Sequence, residues 1–212
     1  MALTLSAIEA RVIASLVEKS ITTPQYYPLS VNALVSACNQ KSARDPLMSL
    51  SDGDVGSTLI RLEELRVAKR EDQLSRVPKW RHRFHHELLI KEPAMAVLVT
   101  LMLRGPQTLS ELRSNAMGLG GPSEAAAVQA VLADLSDRAQ PLVGALSRQS
   151  GQSAQRYTQL ISPEAASGYT TGPIEAEPTS ALSAGGPSLS ERMAALEARV
   201  AELEAKLGPL LS

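Results

Sequence analysis

The chain has little cysteine, few aromatic residues and no long apolar run. Cys38 is its one cysteine, which excludes an intrachain disulfide and a zinc site built from several cysteines. Aromatic residues make up 3% of the 212 residues, so a surface that stacks the bases of single-stranded nucleic acid is not expected. The longest mainly apolar stretch, 94–103, is about half of the roughly 20 residues that span a bilayer.

The sequence also begins without a basic segment followed by an apolar run, so we expect no secretory signal and a soluble, cytoplasmic protein with no membrane partner. The formal net charge of −1 argues against a polycation. The charge is uneven, however: 1–91 holds 13 basic and 10 acidic residues, 92–162 five of each, and 163–212 three basic and seven acidic. A surface for nucleic acid is therefore expected in the first region.

Residues 1–91 begin with the pattern of three helices. Apolar residues recur at helical spacing from Leu5 to Leu16, and Thr23-Pro24 ends this helix because the residue before a proline is displaced from the helical region. Ser30 and Ser51 are placed to cap the next two helices.

After these three helices the hydrophobic pattern changes to a period of two residues. Residues 79–85 alternate, which predicts a strand with Trp80, His82 and Phe84 on its buried face and basic residues on the other face. On this interpretation His82 and His85 point to opposite faces, which argues against a metal site. Three helices followed by a two-stranded hairpin are the order of a winged-helix domain.

The next region, 92–162, repeats that order. A helix is predicted between Pro93 and Gly105-Pro106, and Thr108 with Glu111 forms a capping box for the next one. Ser123 is placed to cap a third helix, and strands are predicted near 142–146 and 156–161.

No packed domain is predicted for the remaining residues. Small and polar residues dominate Ser162 to Pro187, which predicts a flexible linker. Residues 188–212 carry apolar residues at steps of four and three, the seam of a short coiled coil, so we predict a homodimer. The alternative is that this segment packs back on the same chain or stays partly disordered. The predicted fold is mainly α with small β-hairpins: winged-helix domains at 1–91 and 92–162, a linker at 163–187 and a coiled-coil-like helix at 188–212.

The hairpin segment 66–91, which we name the basic wing, carries eight basic residues against three acidic ones. Side chains on one face of a strand lie about 7 Å apart, which is comparable to the phosphate spacing along a DNA strand. The alternative is an edge strand whose charges discourage aggregation. The first interpretation predicts contact with double-stranded DNA. The predicted DNA-binding residues are Lys41, Arg44, Ser57, Arg61, Arg76, Lys79, Arg81 and Arg83.

The third helix of a DNA-binding winged-helix domain enters the major groove. Here its outward face offers Ser57, Ile60 and Arg61, but two neighbouring glutamates repel phosphates, so strong sequence-specific binding is not expected. The loop at 39–44 either bonds phosphate oxygens or is an ordinary polar loop. The third helix of the second repeat is acidic, so we expect that domain to contact a protein or to pack against the first domain.

Residues for catalysis do not assemble into a recognisable set. Cys38 falls on an apolar helix face, which is typical of a buried structural thiol rather than a nucleophile. The glycines at 118–121 are not followed by the Gly-Lys-Ser/Thr of a phosphate loop. We therefore expect a non-enzymatic protein without a metal or cofactor.

Several short motifs between residues 3 and 161 are specific enough to indicate a family. They are Glu18-Lys19, Thr22-Thr23-Pro24, Tyr27-Pro28-Leu29-Ser30, Asn32-Ala33-Leu34, Ala37-Cys38-Asn39-Gln40-Lys41-Ser42, Arg44-Asp45-Pro46, His82-Arg83-Phe84, Leu103-Arg104-Gly105-Pro106-Gln107-Thr108 and Glu111-Leu112-Arg113. Together they resemble the YceH family of uncharacterised bacterial proteins. The resemblance implies tandem winged-helix domains and brings no activity, substrate or catalytic residue.

The leading hypothesis is a regulator that contacts double-stranded DNA through the first domain and its basic wing. The competing hypothesis is a protein-interaction scaffold with no direct DNA contact, because a fold does not fix a function.

Overall fold

The computed structural model describes residues 3–71, 77–147, 154–166 and 171–172. These residues belong to one compact unit, Met1–Glu175, and are mainly helical with two small antiparallel sheets. The predicted coiled-coil-like helix at 188–212 lies outside the described residues. None of the described helices is long and apolar enough to cross a lipid bilayer.

The first three helices start at serine caps. Ser30 and Ser51 each accept a hydrogen bond from a backbone amide three residues on, as predicted, and Ser6 caps the first helix in the same way. The first helix ends directly before Thr23-Pro24, also as predicted, and a 3₁₀ turn follows. The helices are α1 at Ala7–Thr22, α2 at Val31–Cys38 and α3 at Asp52–Glu64.

A short hairpin and a short helix follow. Strands β1, Ala68–Glu71, and β2, Lys79–His82, pair in antiparallel fashion, and helix α4, Phe84–Leu88, begins where the second strand was expected to continue. The prediction that His82 and His85 point to opposite faces is therefore wrong. Their ring centroids lie 5.6 Å apart, because the chain leaves the strand after His82 and turns into α4.

The second half repeats the order of the first. The capping box of Thr108 and Glu111 is confirmed. The prediction for Ser123 is wrong, because the third helix starts one residue later, with Glu124 at the cap position and no side-chain cap bond. The elements are α5 at Glu92–Arg104, β3 at Gln107–Thr108, α6 at Leu109–Ala116, a 3₁₀ turn at Met117–Leu119, α7 at Ala125–Ser136, β4 at Val143–Leu146 and β5 at Arg156–Gln159.

Each half adds a short extended segment to its hairpin. In the second half β3 pairs with β5, which was not predicted. In the first half Leu29, between α1 and α2, forms a bridge with Trp80 of β2 through backbone hydrogen bonds of 3.0 and 2.8 Å. The topology therefore occurs twice: a helix, a short extended segment, two helices, and a hairpin whose second strand pairs with that segment.

Two short elements lie within the segment for which we predicted a linker. Helix α8 spans Pro163–Ala166, and β6, Thr171–Gly172, pairs with β4 to complete a sheet of order β3-β5-β4-β6. Ser162, just before α8, is fully buried.

The halves share one hydrophobic core. Every residue of α1 from Ala10 to Val17 is buried, and α1 contacts α2 and α3 on one side and α5 of the second half on another. The apolar interior is one contiguous cluster that includes residues of both halves. Helix α1 therefore fixes where α3 and the basic wing stand.

Candidate nucleic-acid interface

The register of the hairpin sets one pair of like charges and one pair of opposite charges directly across from each other. Lys69 pairs directly with Arg81, and Glu71 with Lys79, so these four side chains share one face of the basic wing. Like charges directly opposite on a sheet are destabilising. This face carries three cations and one carboxylate, an arrangement that folding alone does not favour.

One of these cations is held by an ion pair, and the other two form no ion pair with a carboxylate in the part of the chain that the structure describes. Arg81 forms an ion pair with Glu71 through Nε and donates a second hydrogen bond from Nη2 at 3.2 Å. By contrast, Lys69 and Lys79 form no ion pair with a carboxylate of the described residues. Their ammonium groups are therefore available to an external anion.

Arg83 extends this positive surface beyond the end of β2. It occupies the cap position of α4 without a side-chain cap bond, and its backbone amide donates to the Val67 carbonyl at 2.6 Å. Its exposed guanidinium has no ion pair with a described carboxylate. The predicted residue Arg76 lies outside the described residues.

Helix α3 presents the expected outward face, with Ser57, Ile60, Arg61 and Glu64 exposed. Arg61 donates to Glu64 at 2.9 Å, and its Nε lies 3.9 Å from a carboxylate oxygen of Glu9. The neighbouring Glu63 accepts a hydrogen bond at 3.0 Å from the backbone amide of Arg70, which joins α3 to β1. One of the two glutamates noted from the sequence therefore holds the wing against the helix.

Two predicted residues of the loop after α2 have different surroundings. Lys41 is exposed at the surface. The Arg44 side chain is 0% exposed and forms a two-pronged ion pair with Glu18, with Nη1 at 3.1 Å and Nη2 at 2.6 Å from the two carboxylate oxygens. Arg44 also donates to the Ala37 carbonyl from Nε and Nη2. It therefore holds the loop to α1 and α2 from inside and presents no group to a phosphate.

Comparisons with known proteins assign this chain to one family. Residues 5–152 match the family model described as "Protein of unknown function, DUF480". The chain belongs to the DUF480 family. It is 42% identical to a UPF0502 protein of Shewanella loihica over 98% of both chains, and 40% identical to one of Geobacter sulfurreducens over 96% of this chain and 91% of that protein. A UPF0502 protein of Citrifermentans bemidjiense is 46% identical over 77% of this chain and 76% of its own length.

A second buried arginine of this DUF480 protein was missed by the sequence analysis. Arg11 is 1% exposed, and it donates to the Cys38 carbonyl at 3.2 Å and to the Pro46 carbonyl at 2.7 Å. Burial, with the nearby charge of Arg44, lowers the pKa of Arg11. Its position three residues after Ile8, within the apolar stripe of α1, was the available signal. Arg11 ties α1 to the end of α2 and to the following loop.

The thiol of Cys38 is buried, as predicted, and donates to Ser15 Oγ at 3.6 Å. Burial raises the pKa of this thiol. Among the described residues, no group of three or more His, Cys, Asp or Glu side chains is placed to hold a metal ion.

The three histidines of the DUF480 chain cluster at the base of the basic wing. His82 Nε2 lies 3.1 Å from Ser20 Oγ, and the His82 backbone amide donates to Tyr27 Oη at 2.6 Å. Burial lowers the pKa of His82 to about 4 and raises the pKa of Tyr27 to about 12. Uncharged hydrogen bonds therefore tie the end of β2 to α1 through Ser20 and to the segment between α1 and α2 through Tyr27.

Proposed function

We propose that this chain is a tandem winged-helix protein that binds double-stranded DNA through its first domain, in a regulatory and non-enzymatic role. The support for the architecture is the twice-repeated order of a helix, a short extended segment, two helices and a hairpin. In this assignment α3 is the helix that faces the major groove, and the β1–β2 hairpin is the wing.

The observation that carries the proposal is the cross-strand pair of Lys69 and Arg81. Because this pair costs stability, a surface selected for folding alone would place a carboxylate at one of the two positions. A phosphate backbone would neutralise the pair and release counterions on binding. Lys79 lies opposite Glu71 on the same face, forms no ion pair with a described carboxylate and would add one phosphate contact.

The proposed contacts divide into contacts to the DNA phosphates and contacts to the DNA bases. Lys69, Lys79, Arg81 and Arg83 would meet phosphates, which fix the position of the protein without reading sequence. Helix α3 would present Ser57, Ile60 and Arg61 to the bases. Ile60 is 59% exposed and would suit a thymine methyl group, while Arg61 would have to leave Glu64 before it could contact a guanine. We therefore propose binding with weak sequence preference. Lys41 and Arg76 remain predicted phosphate contacts. Arg44 is not proposed as a contact, because its side chain is buried.

The test is DNA affinity in two variants that lose the same charge. Fluorescence anisotropy measures the binding of a labelled duplex of random sequence to the wild type and to both variants. The wing variant is Lys79→Ala/Arg83→Ala, and the control variant, with both changes in the second half of the chain, is Arg104→Ala/Arg113→Ala. We expect the wing variant to bind about tenfold more weakly at low salt and the control variant to stay within about twofold. Equal losses in both variants, or no binding by the wild type, would refute the proposal.

The second half favours a different partner. Glu124, Asp134 and Asp137 are exposed on or beside α7, and the guanidinium of Arg138 donates to the backbone carbonyls of Leu88 and Leu89 at 2.7 and 3.1 Å. This acidic face would repel phosphates and favours a protein contact. We propose it as the surface for a protein partner, which a nuclease-insensitive pull-down with an Asp134→Lys control would test.

The proposed homodimer rests on the heptad spacing at 188–212 alone. Light scattering of the full chain and of Leu196→Lys/Leu203→Lys tests it, because lysines in the apolar seam should convert a dimer to a monomer. A monomeric wild type would contradict it.

A further inference from the structure

A cavity of about 780 Å³ lies beside the base of the basic wing and is used by none of the contacts proposed above. It is bounded by the end of α1, by His82 at the end of β2, by the start of α5 and by Leu119 and Gly120 after α6. Its volume falls within the roughly 300–1,000 Å³ of small-molecule sites. Both halves of the repeat contribute to its wall.

One wall of the cavity is apolar and well packed. Val17, Ile90, Met95 and Leu119 line it, and each is at most 9% exposed, so the wall is fixed by the core behind it. Ile21 stands at the edge with 43% of its surface exposed. Such a wall takes the apolar body of a ligand.

The His82 ring lines the same cavity and is uncharged at neutral pH. Ser20 Oγ donates its one hydrogen to the Val17 carbonyl at 2.7 Å, so it accepts the hydrogen of His82 Nε2. Because His82 is uncharged at neutral pH, Nδ1 carries a lone pair. That atom is buried and has no hydrogen-bond partner among the described residues. Because this atom is buried, it does not open onto the cavity, and the ring adds an uncharged surface to the lining.

The polar side of the cavity carries one charge of each sign. Lys91 stands at the cap position of α5 without a side-chain cap bond, and Glu92 is the first residue of the helix. The start of this 13-residue helix and the Lys91 ammonium favour a carboxylate, while the Glu92 carboxylate favours an ammonium. A ligand with a single charge would meet a like charge here, so the lining fits a molecule with both.

We propose that this cavity binds an apolar zwitterion of the size of a large amino acid or a dipeptide. Its carboxylate lies at Lys91 and the first turn of α5, its ammonium lies at Glu92, and its apolar body lies on the wall formed by Val17, Met95 and Leu119. The inference does not depend on DNA binding.

Calorimetry with four probes on the full chain tests the ligand class. L-phenylalanine and L-leucyl-L-leucine are zwitterions, whereas 3-phenylpropanoate lacks the ammonium and 2-phenylethylamine lacks the carboxylate. We expect at least one zwitterion to bind, and each singly charged analogue to bind about tenfold or more weakly than L-phenylalanine if that is the zwitterion bound. No binding by either zwitterion at about 10 mM, or equal binding by the singly charged analogues, overturns the proposal.

Two variants and a control locate the binding. Ile21→Trp fills the cavity from its exposed edge and should weaken binding of the zwitterion about tenfold, whereas Leu47→Trp, at an exposed site that does not line the cavity, should leave it unchanged. Lys91→Met should weaken binding of the zwitterion and leave any binding of 2-phenylethylamine unchanged. Thermal unfolding shows that each variant is folded. Binding that survives Ile21→Trp and Lys91→Met unchanged places the probe elsewhere and overturns the proposal.

Discussion

Replacing Glu18 by glutamine removes the charge of one partner from a buried ion pair and keeps its size. Arg44, the other partner, has a side chain that is 0% exposed, and Glu18 is 13% exposed. Two hydrogen bonds join them, at 3.1 and 2.6 Å. The substitution leaves the Arg44 guanidinium in the interior with backbone carbonyls and Gln40 as acceptors but no carboxylate.

Breaking a buried pair by removing one charge costs roughly 3–5 kcal/mol. Because Arg44 keeps several acceptors, we expect a loss near the lower end, about 3 kcal/mol in the free energy of unfolding. The matched control is Glu64→Gln, which breaks the Arg61–Glu64 pair. Both of those side chains are more than half exposed, so we expect a loss below about 1 kcal/mol.

Urea unfolding at neutral and acidic pH measures both variants. Burial raises the pKa of Glu18, but the hydrogen bonds and charges of Arg44 and Lys19 together lower it more, and the net shift is downward. A lowered pKa in the folded state gives stability that is present above the unfolded carboxyl pKa of about 4.3 and is lost as the pH falls through the folded value. The gap between wild type and Glu18→Gln should therefore close below about pH 4. A loss no larger than that of Glu64→Gln, or a gap that does not change with pH, would refute the reasoning.

Three further predictions concern the backbone, the wing and the thiol. Gly105 has φ +68° and ψ −159°, so Gly105→Ala should cost about 1–3 kcal/mol in urea unfolding, whereas Gly56→Ala within α3, where a Cβ meets open space, should stabilise by up to about 1 kcal/mol. Lys69→Glu replaces a like-charge pair with an ion pair to Arg81, so it should raise the free energy of unfolding by about 0.2–1 kcal/mol while weakening DNA binding; a stabilised variant with unchanged DNA affinity would count against the proposed wing. Cys38 should react with Ellman's reagent about 100-fold more slowly in the native protein than in denaturant, because its thiol is buried and its pKa is raised; rapid native labelling would contradict this.

Local features of the fold were predictable from the sequence. The caps at Ser30, Ser51 and Thr108 involve residues three positions apart, so the sequence contains both partners of the hydrogen bond. The buried stripe of α3 was also predictable, because the helical period of its apolar residues is a local property of the sequence. Predictions failed where a distant partner decides the conformation. The last pair of the first hairpin is Ala68 with His82, so no strand residue remains opposite Phe84 and the alternation of 79–85 does not continue as a strand.

The candidate site was predictable to a similar degree. Arg81, Arg83 and the outward residues of α3 are exposed where alternation and helical period placed them, whereas Lys79 is partly buried. Arg44 was not distinguishable from a surface arginine, because its carboxylate partner is 26 residues away in the sequence. The cross-strand pairing of Lys69 with Arg81 also needed the structure, since the register depends on where both strands end.

The salt dependence of DNA affinity tests the central claim most directly. The logarithm of the association constant should fall linearly with the logarithm of salt concentration, with a slope that reports the number of phosphate contacts. For Lys79→Ala/Arg83→Ala we predict a slope smaller than that of the wild type by about two, one for each lost contact, and for Arg104→Ala/Arg113→Ala a slope equal to that of the wild type. A wild-type slope near zero, or the same slope in the wild type and the wing variant, would contradict the claim that the basic wing binds DNA.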